Sequence, residues 1–333
     1  PSTKPDQDKI LAFEEVFSLP NLMRAWQEFR LGKKQKIDVA EFSLQLIDNL
    51  SALHRDIMSG AYTHGGYVHF QVTDPKPRDI HKASVRDRVV HHAVYRALYP
   101  YFDRKFIHDS YSCRVDKGTH RALQRFNQFA GQEGQNGTRT VWILKGDVTK
   151  CFASVDHHIL LDIVHKEIPC ERLFAVIQRI LESFSLSPQG VGIPLGNLTS
   201  QIFINIYLNE LDQFVKRQLR VRRYIRYADD FVLFSHDKDM LMEYLPRIAD
   251  FLEERLSLTL HPKKIVLKTV ASGVDFLGWV HFPKHRVLRT VTKKRMYSRL
   301  RRVNSSATRA SYLGLLRHGH AKMLQNAILA KEK

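Results

Sequence analysis

The tetrapeptide Tyr227-Ala228-Asp229-Asp230 constrains this chain more than any other stretch. Its adjacent carboxylates lie between Tyr224-Ile225-Arg226 and Phe231-Val232-Leu233-Phe234, β-rich flanks too short for a typical helix. That pattern predicts strand, tight turn, strand, with the acids at the turn. Carboxylates in an apolar hairpin are costly unless a cation compensates them. Oxygen-only ligands suit a divalent ion such as Mg²⁺. Alone, the pair also fits a polar turn. A third acid, Asp147, closes an apolar run, Val141-Trp142-Ile143-Leu144, that reads as a buried strand. Alone, it also fits a helix N-cap or an ion-pair partner. With the pair 82 residues downstream, it supplies the carboxylates a two-metal phosphoryl-transfer site requires.

The charge balance narrows the partner. Lys and Arg number 52 against 34 Asp and Glu, a formal net charge of +18. Such an excess favours a polyanion, nucleic acid before membrane. It is also concentrated: residues 284–333 hold fourteen Lys/Arg and one acid, and residues 216–226 hold six basic residues, Arg222 and Arg223 among them. Each run alone fits a solvated face; two together, one leading into the acidic hairpin, point to phosphate-backbone contact. Cys113, Cys151 and Cys170 form no CxxC pair, so a disulfide framework or zinc site is not expected and a reducing, cytoplasmic setting is. The start, Pro1-Ser2-Thr3-Lys4, is polar and lacks Met, which reads as processing or trimming. Without an 18-residue apolar run, neither a signal peptide nor a membrane span is expected.

Along the chain, residues 9–60 read as helical, with Leu44, Leu46, Ile47, Leu50 and Leu53 at helical spacing. Residues 62–72 alternate as a strand would, and Asp74-Pro75-Lys76-Pro77 marks a turn. A helix over 85–99 should end at Pro100. The Gly-rich stretch 130–138 reads as a surface loop. Helical material is expected over 157–184, and a Gly/Pro loop at 189–196 opens a long helix over 198–219. A helix at 239–256, short strands to about 281 and a basic helical tail follow. In that tail Met296, Leu300 and Val303, then Tyr312, Leu313, Leu315 and Leu316, form an apolar stripe. His91-His92 and His157-His158 point different ways on a helix and read as structural.

Several segments resemble, in order, the motifs of reverse transcriptases. Residues 144–156, LKGDVTKCFASVD, resemble the first palm motif, and 192–201, GIPLGNLTSQ, the second. Tyr227-Ala228-Asp229-Asp230 is similar to the third, His261-Pro262-Lys263-Lys264 to the fourth and Phe276-Leu277-Gly278-Trp279 to the fifth. Residues 110–120, SYSCRVDKGTH, resemble a fingers motif.

The resemblance implies an α+β right-hand polymerase with a ferredoxin-like antiparallel palm sheet and a helical thumb. Its parts would be an N-terminal extension and fingers (1–140), a palm (141–282, with 189–205 at the fingers–palm junction) and a short basic thumb (283–333), with no room for a further nuclease domain. Asp147 and Asp229 would hold two Mg²⁺ or Mn²⁺ ions, with Asp230 assisting and the Val148 carbonyl completing a shell. Phe152 would gate against a ribose 2′-hydroxyl. Arg114 would fork onto the triphosphate, with Lys82 and Arg86 as further phosphate contacts. Lys264 would protonate the departing pyrophosphate or contact backbone phosphate. Tyr227, Gly278 and Trp279 would meet the primer–template, as would Lys293, Lys294, Arg295 and Arg299 in the basic tail.

The second motif departs from the commoner family pattern. Leu195 stands before Gly196 where Gln is usual, and Gln201 where Pro is usual. Leu-Gly-Asn-Leu-Thr-Ser-Gln resembles the enzymes of diversity-generating retroelements, which implies error-prone copying at template adenines. Removing a polar contact beside the nascent pair should weaken discrimination; Leu195 also fits a purely packing role. Implied partners are template RNA, a cDNA or primer strand, deoxynucleotides, a structured cognate RNA and a small basic accessory protein, in a bacterial or phage-encoded system. Alternatives are a defence-associated or group II intron-like enzyme, or an inactive RNA-binding protein of the same fold.

Overall fold

The computed structural model describes residues 10–73, 77–186, 189–303 and 305–330. Most of the expected 74–77 turn, the polar start and the last three residues lie outside the described residues. Four helices come first: α1 (Phe13–Val16), α2 (Leu19–Phe29), α3 (Ile37–Leu44) and α4 (Leu46–Met58). The antiparallel hairpin β1 (Tyr67–Val72) and β2 (Arg78–Ala83) leads to α5 (Val85–Lys105) and α6 (Thr119–Glu133). Strand β3 (Trp142–Asp147) precedes α7 (His157–His165), α8 (Glu171–Glu182) and α9 (Leu198–Gln213). Then come β4 (Tyr224–Tyr227), β5 (Asp230–Ser235), α10 (Lys238–Leu256), β6 (Val266–Thr269), β7 (Val274–Phe276), β8 (Trp279–His281) and β9 (Arg286–Leu288). The basic tail forms α11 (Thr290–Arg302), α12 (Ser306–Leu316) and α13 (Lys322–Leu329).

The chain divides into two compact units. The first comprises the described parts of Pro1–His108, Val148–Phe214 and Asp250–Thr259. Its core is aromatic and aliphatic: Phe17, Leu22 and Trp26 on the α1–α2 side, Val89, Val90 and Val94 of α5, and Ile202, Phe203 and Ile206 of α9 are all buried. The second comprises Asp109–Asp147, Val215–Ala249 and the described part of Leu260–Lys333. It holds a four-stranded sheet of order β4-β5-β3-β6, antiparallel at every pairing. That order and direction are those of the ferredoxin-like split βαβ arrangement. A second antiparallel sheet, β7-β8-β9, shares its core, where Phe126, Ile143, Phe234, Phe276 and Trp279 are buried together with Met296 of α11.

Three sequence expectations need correction. Helix α5 does not stop at Pro100 but continues to Lys105. A proline interrupts one helical hydrogen bond, yet Leu98 and Phe102 are buried on either side, and the Tyr101 hydroxyl donates to Glu167 at 2.6 Å. Tertiary anchoring therefore carries the helix across the break. Residues 130–138 are not a surface loop from their start, because α6 runs through Glu133. Glu133 is 9% exposed and accepts the His236 N–H at 3.0 Å while pairing with Arg223. The first strand begins at Tyr67, not residue 62, and β9 was not anticipated.

Candidate active site

In the sheet of the second unit, Asp147 stands opposite Asp230 and Asp230 opposite Tyr227. Side chains alternate along a strand, so Lys145 and Ile143 share the face of Asp147. Ile225, Val232 and Phe234 lie on that same face and are buried with Ile143. Along β4 and β5 the face is thus apolar until its last rung, where it becomes acidic, with Lys145 of β3 one rung behind the acids. Gly146 points to the opposite face beneath its cross-strand partner Phe231, whose ring any Cβ would strike. The hairpin closes through Ala228, at φ +53, and Asp229. Positive φ in a two-residue link matches the twist of the flanking strands. Arg226, 1% exposed, donates from Nη1 to the Ala228 carbonyl at 3.2 Å and braces the turn.

Two lysines answer the acids. Lys264 Nζ lies 2.5 Å from Asp147 Oδ1, and Lys145 Nζ lies 3.4 Å from Asp230 Oδ1. Lys264 is delivered by a 3₁₀ turn, Pro262–Lys264, tied to β3 by the His261 N–H donating to the Asp147 carbonyl at 2.8 Å. Lys145 Nζ also donates to the Asp275 carbonyl at 3.2 Å. Burial raises the Asp230 carboxyl to about 6; Lys145 opposes that rise, while the charges of Asp147 and Asp229 add to it. For Lys264, burial acts downward, but the bond to Asp147 and the charges of all three acids outweigh it and raise the ammonium.

Other anticipated residues of this unit lie in defined places. Asp109, Ser110 and Tyr111 run beside β4, with the Arg226 N–H donating to Asp109 and the Tyr111 N–H to Arg226, each at 3.0 Å. Arg114 follows on this segment, and its Nη1 donates to the Ser110 carbonyl at 3.0 Å. The Tyr227 hydroxyl is 3.0 Å from that of Thr119. Arg222 is exposed, whereas Arg223 is paired with Glu133. Gly278 takes φ +84, and its carbonyl accepts the Arg289 N–H at 3.0 Å. The Trp279 ring is in the core, 1% exposed. Lys293, Lys294, Arg295 and Arg299 occupy the exposed face of α11 while Met296 faces inward.

The remaining anticipated residues belong to the first unit. Val148 is buried, and Phe152 is half-buried in a 3₁₀ turn, Cys151–Ser154, its carbonyl accepting the Ile193 N–H at 2.8 Å. Leu195 is half-exposed, and Gly196 and Gln201 are exposed. Lys82 pairs with Asp38 at 2.9 Å and Arg86 with Asp56 at 2.8 Å. His91 and His157 are buried in hydrogen bonds, to Thr199 Oγ1 and the Gly192 carbonyl, as structural histidines are.

Sequence reading missed Lys145 and Arg226. Lys145 was findable, since position i−2 from Asp147 on a strand shares its face. Arg226 sat in a basic run that pointed to phosphate contact rather than to a buried brace. Among the described residues no three His, Cys, Asp or Glu side chains form a ready-made ligand set. The donor chemistry nevertheless fits a hard divalent cation: Asp147 and Asp230 share a rung, the charge of Asp229 reaches Asp230, and burial together with these acidic neighbours destabilises Asp230 as an anion.

Residues 73–281 match the family model described as reverse transcriptase (RNA-dependent DNA polymerase). Among curated proteins, the chain is 26% identical over 300 residues to Protein YkfC of Escherichia coli, covering 78% of this chain and 76% of that one. It is 28% identical over 145 residues to the group II intron-encoded protein LtrA of Lactococcus lactis, covering 42% of this chain but 23% of that one. Among solved structures, apo telomerase from Candida tropicalis superposes with a TM-score of 0.51 at 12% identity, over 66% of this chain and 47% of that one. The chain therefore spans most of one relative's length and under half of the others'. No helix of the described residues is long and apolar enough to cross a membrane.

Proposed function

The chain belongs to the reverse transcriptase family, the RNA-directed DNA polymerases, and from that premise we propose that it copies an RNA template into cDNA by two-metal nucleotidyl transfer. The observation that carries this reading is the acidic rung, Asp147 opposite Asp230 with Asp229 in the adjoining turn. Asp147, Asp229 and Asp230 would hold the ions, Mg²⁺ or Mn²⁺, with the Val148 carbonyl as a further ligand. When bound, such ions lower the pKa of the attacking 3′-hydroxyl and offset the charge of the leaving pyrophosphate.

The chain's own residues then position and shield. Lys264, an ammonium held at Asp147, would give a proton to the departing phosphate oxygen. Arg114 offers a planar fork to the triphosphate. Phe152 would fill the space a 2′-hydroxyl needs. Lys82 and Arg86 would have to exchange Asp38 and Asp56 for substrate phosphate to contribute. The exposed cations of α11 would track the backbone of the primer–template. We assign residues 1–140 to an extension and fingers, 141–282 to a palm and 283–333 to a thumb.

Within the family, Leu195 and Gln201 support a diversity-generating-retroelement type, error-prone at template adenines and working with a structured RNA and a small basic accessory protein. The similarity to LtrA supports a second reading, a group II intron-like enzyme. Asp229→Ala should abolish primer extension on poly(rA)/oligo(dT) while leaving salt-sensitive RNA binding in place. Unchanged extension would remove the metal assignment, and absence of extension by the unaltered protein would favour an RNA-binding role.

A further inference from the structure

Asn197 lies between Leu195 and α9, and the chemistry above makes no use of it. It is 2% exposed. Its carboxamide reaches across to β2, where Nδ2 donates to the His81 carbonyl at 2.9 Å and Oδ1 accepts the Ala83 N–H at 3.4 Å. The backbone two residues earlier joins the same strand, the His81 N–H donating to the Leu195 carbonyl at 2.9 Å. Between these contacts Gly196 takes φ +113, and a Cβ there would come within 2.7 Å of Ile80 Cγ2. Leu195 to Asn197 thus dock on the edge of β2 as a third strand would, with a side-chain amide standing in for a peptide group. The two partners set the orientation of that amide. Ala83 offers a donor and His81 an acceptor, so only one flip satisfies both.

What is clamped matters. The strand β2 carries Lys82, and Ser84, which follows it, caps α5, where Arg86 lies. Beyond Asn197, Thr199 in the first turn of α9 meets the buried His91 Nδ1 at 2.5 Å. The turn bearing Leu195 is therefore fixed at both ends to the β2–α5 segment. We propose that Asn197 is a positioning residue for base-pair discrimination, its amide clamping the Leu195–Gly196 turn to β2 and so setting where the Leu195 side chain stands. This rests on the reading of Leu195 as a specificity contact in a template-copying enzyme.

Asn197→Asp tests it. The variant keeps the shape and the acceptor for Ala83 but sets a carboxylate against the His81 carbonyl. In the whole protein, amide hydrogen exchange at His81 should quicken by about tenfold, since release of the side chain frees the Leu195 carbonyl. In primer extension, the ratio of correct to mismatched kcat/KM should change by about five- to tenfold. KM for the correct nucleotide should rise more than kcat falls. Unchanged His81 exchange overturns the clamp. An unchanged ratio in a variant whose His81 amide has been released overturns the role in discrimination. If the unaltered protein extends no primer, the polymerase reading fails instead, and the exchange result judges the clamp by itself. Should Asn197→Asp melt below the assay temperature, Asn197→Ser carries the same two readouts.

Discussion

Leu195 presents a half-exposed, apolar side chain from a turn whose backbone is hydrogen-bonded to β2. An apolar contact fits several base-pair shapes about equally, whereas a hydrogen-bonding one penalises any pair that leaves it unmatched. Leu195→Gln should therefore lower misincorporation opposite template adenine by about tenfold, read by sequencing cDNA from a defined RNA. An unaltered error spectrum would assign Leu195 to packing alone. The same scale explains why Gly146 is glycine: the chain needs Phe231 in the core and has no room for a Cβ beneath it.

At the scale of elements, α11 buries Met296 and leaves Lys293, Lys294 and Arg295, which fan around the helix, exposed on its solvent side. If that side follows phosphates, Lys293→Ala with Lys294→Ala should reduce the dependence of log K on log salt by about 0.7–0.9 per contact removed, measured by RNA–DNA hybrid binding across a salt series. A slope equal to that of the unaltered protein would show that these two lysines do not meet phosphate.

Elements such as β3 and β5 were legible because their apolar runs meet acids at one end, and the start of α9 because a Gly/Pro loop opens it. Its end was not, since the helix expected to 219 gives way after Gln213 to a π-helical turn, Phe214–Gln218. Helix α5 was misjudged at Pro100 because a local rule was outweighed by burial of Leu98 and Phe102, which no local window shows. Residues 130–133 were misjudged because Glu133 looks like a surface acid until Arg223 and His236, ninety and more positions away, are seen bound to it. Within the site, the three acids were legible from spacing. Lys145 and Arg226 were obscured by the general abundance of basic residues.

For the molecule as a whole, each unit carries imidazoles held neutral. In the first, burial and then the charges of Lys33, Arg88 and Arg96 bring His92 down to about 4. There too burial, followed by His64, His92 and Arg88, lowers His91 strongly. In the second, burial and then Arg286 bring His281 down to about 3. A histidine whose folded pKa is depressed contributes its full stability above the unfolded value near 6.5. That stability is lost as pH falls toward the folded value, because the unfolded chain takes up the proton first. Thermal midpoints should therefore hold above pH 7 and fall between pH 6.5 and about 4, with each such imidazole costing on the order of 1–2 kcal/mol at pH 5. His281→Gln should flatten part of that fall, and a profile unchanged by the substitution would show that His281 does not contribute.

Lys145 and Lys264 at the acidic rung have a consequence for how the protein comes into being. The fold brings its own counter-ions to Asp147 and Asp230, so assembly of the sheet should not wait on a divalent ion. Chelation with EDTA should stop primer extension yet leave the thermal midpoint where it was. A large drop in that midpoint would make the ions structural. A chain made in an ion-poor setting would mature fully and stay dormant, and its licence to synthesise would arrive afterwards, with the cation.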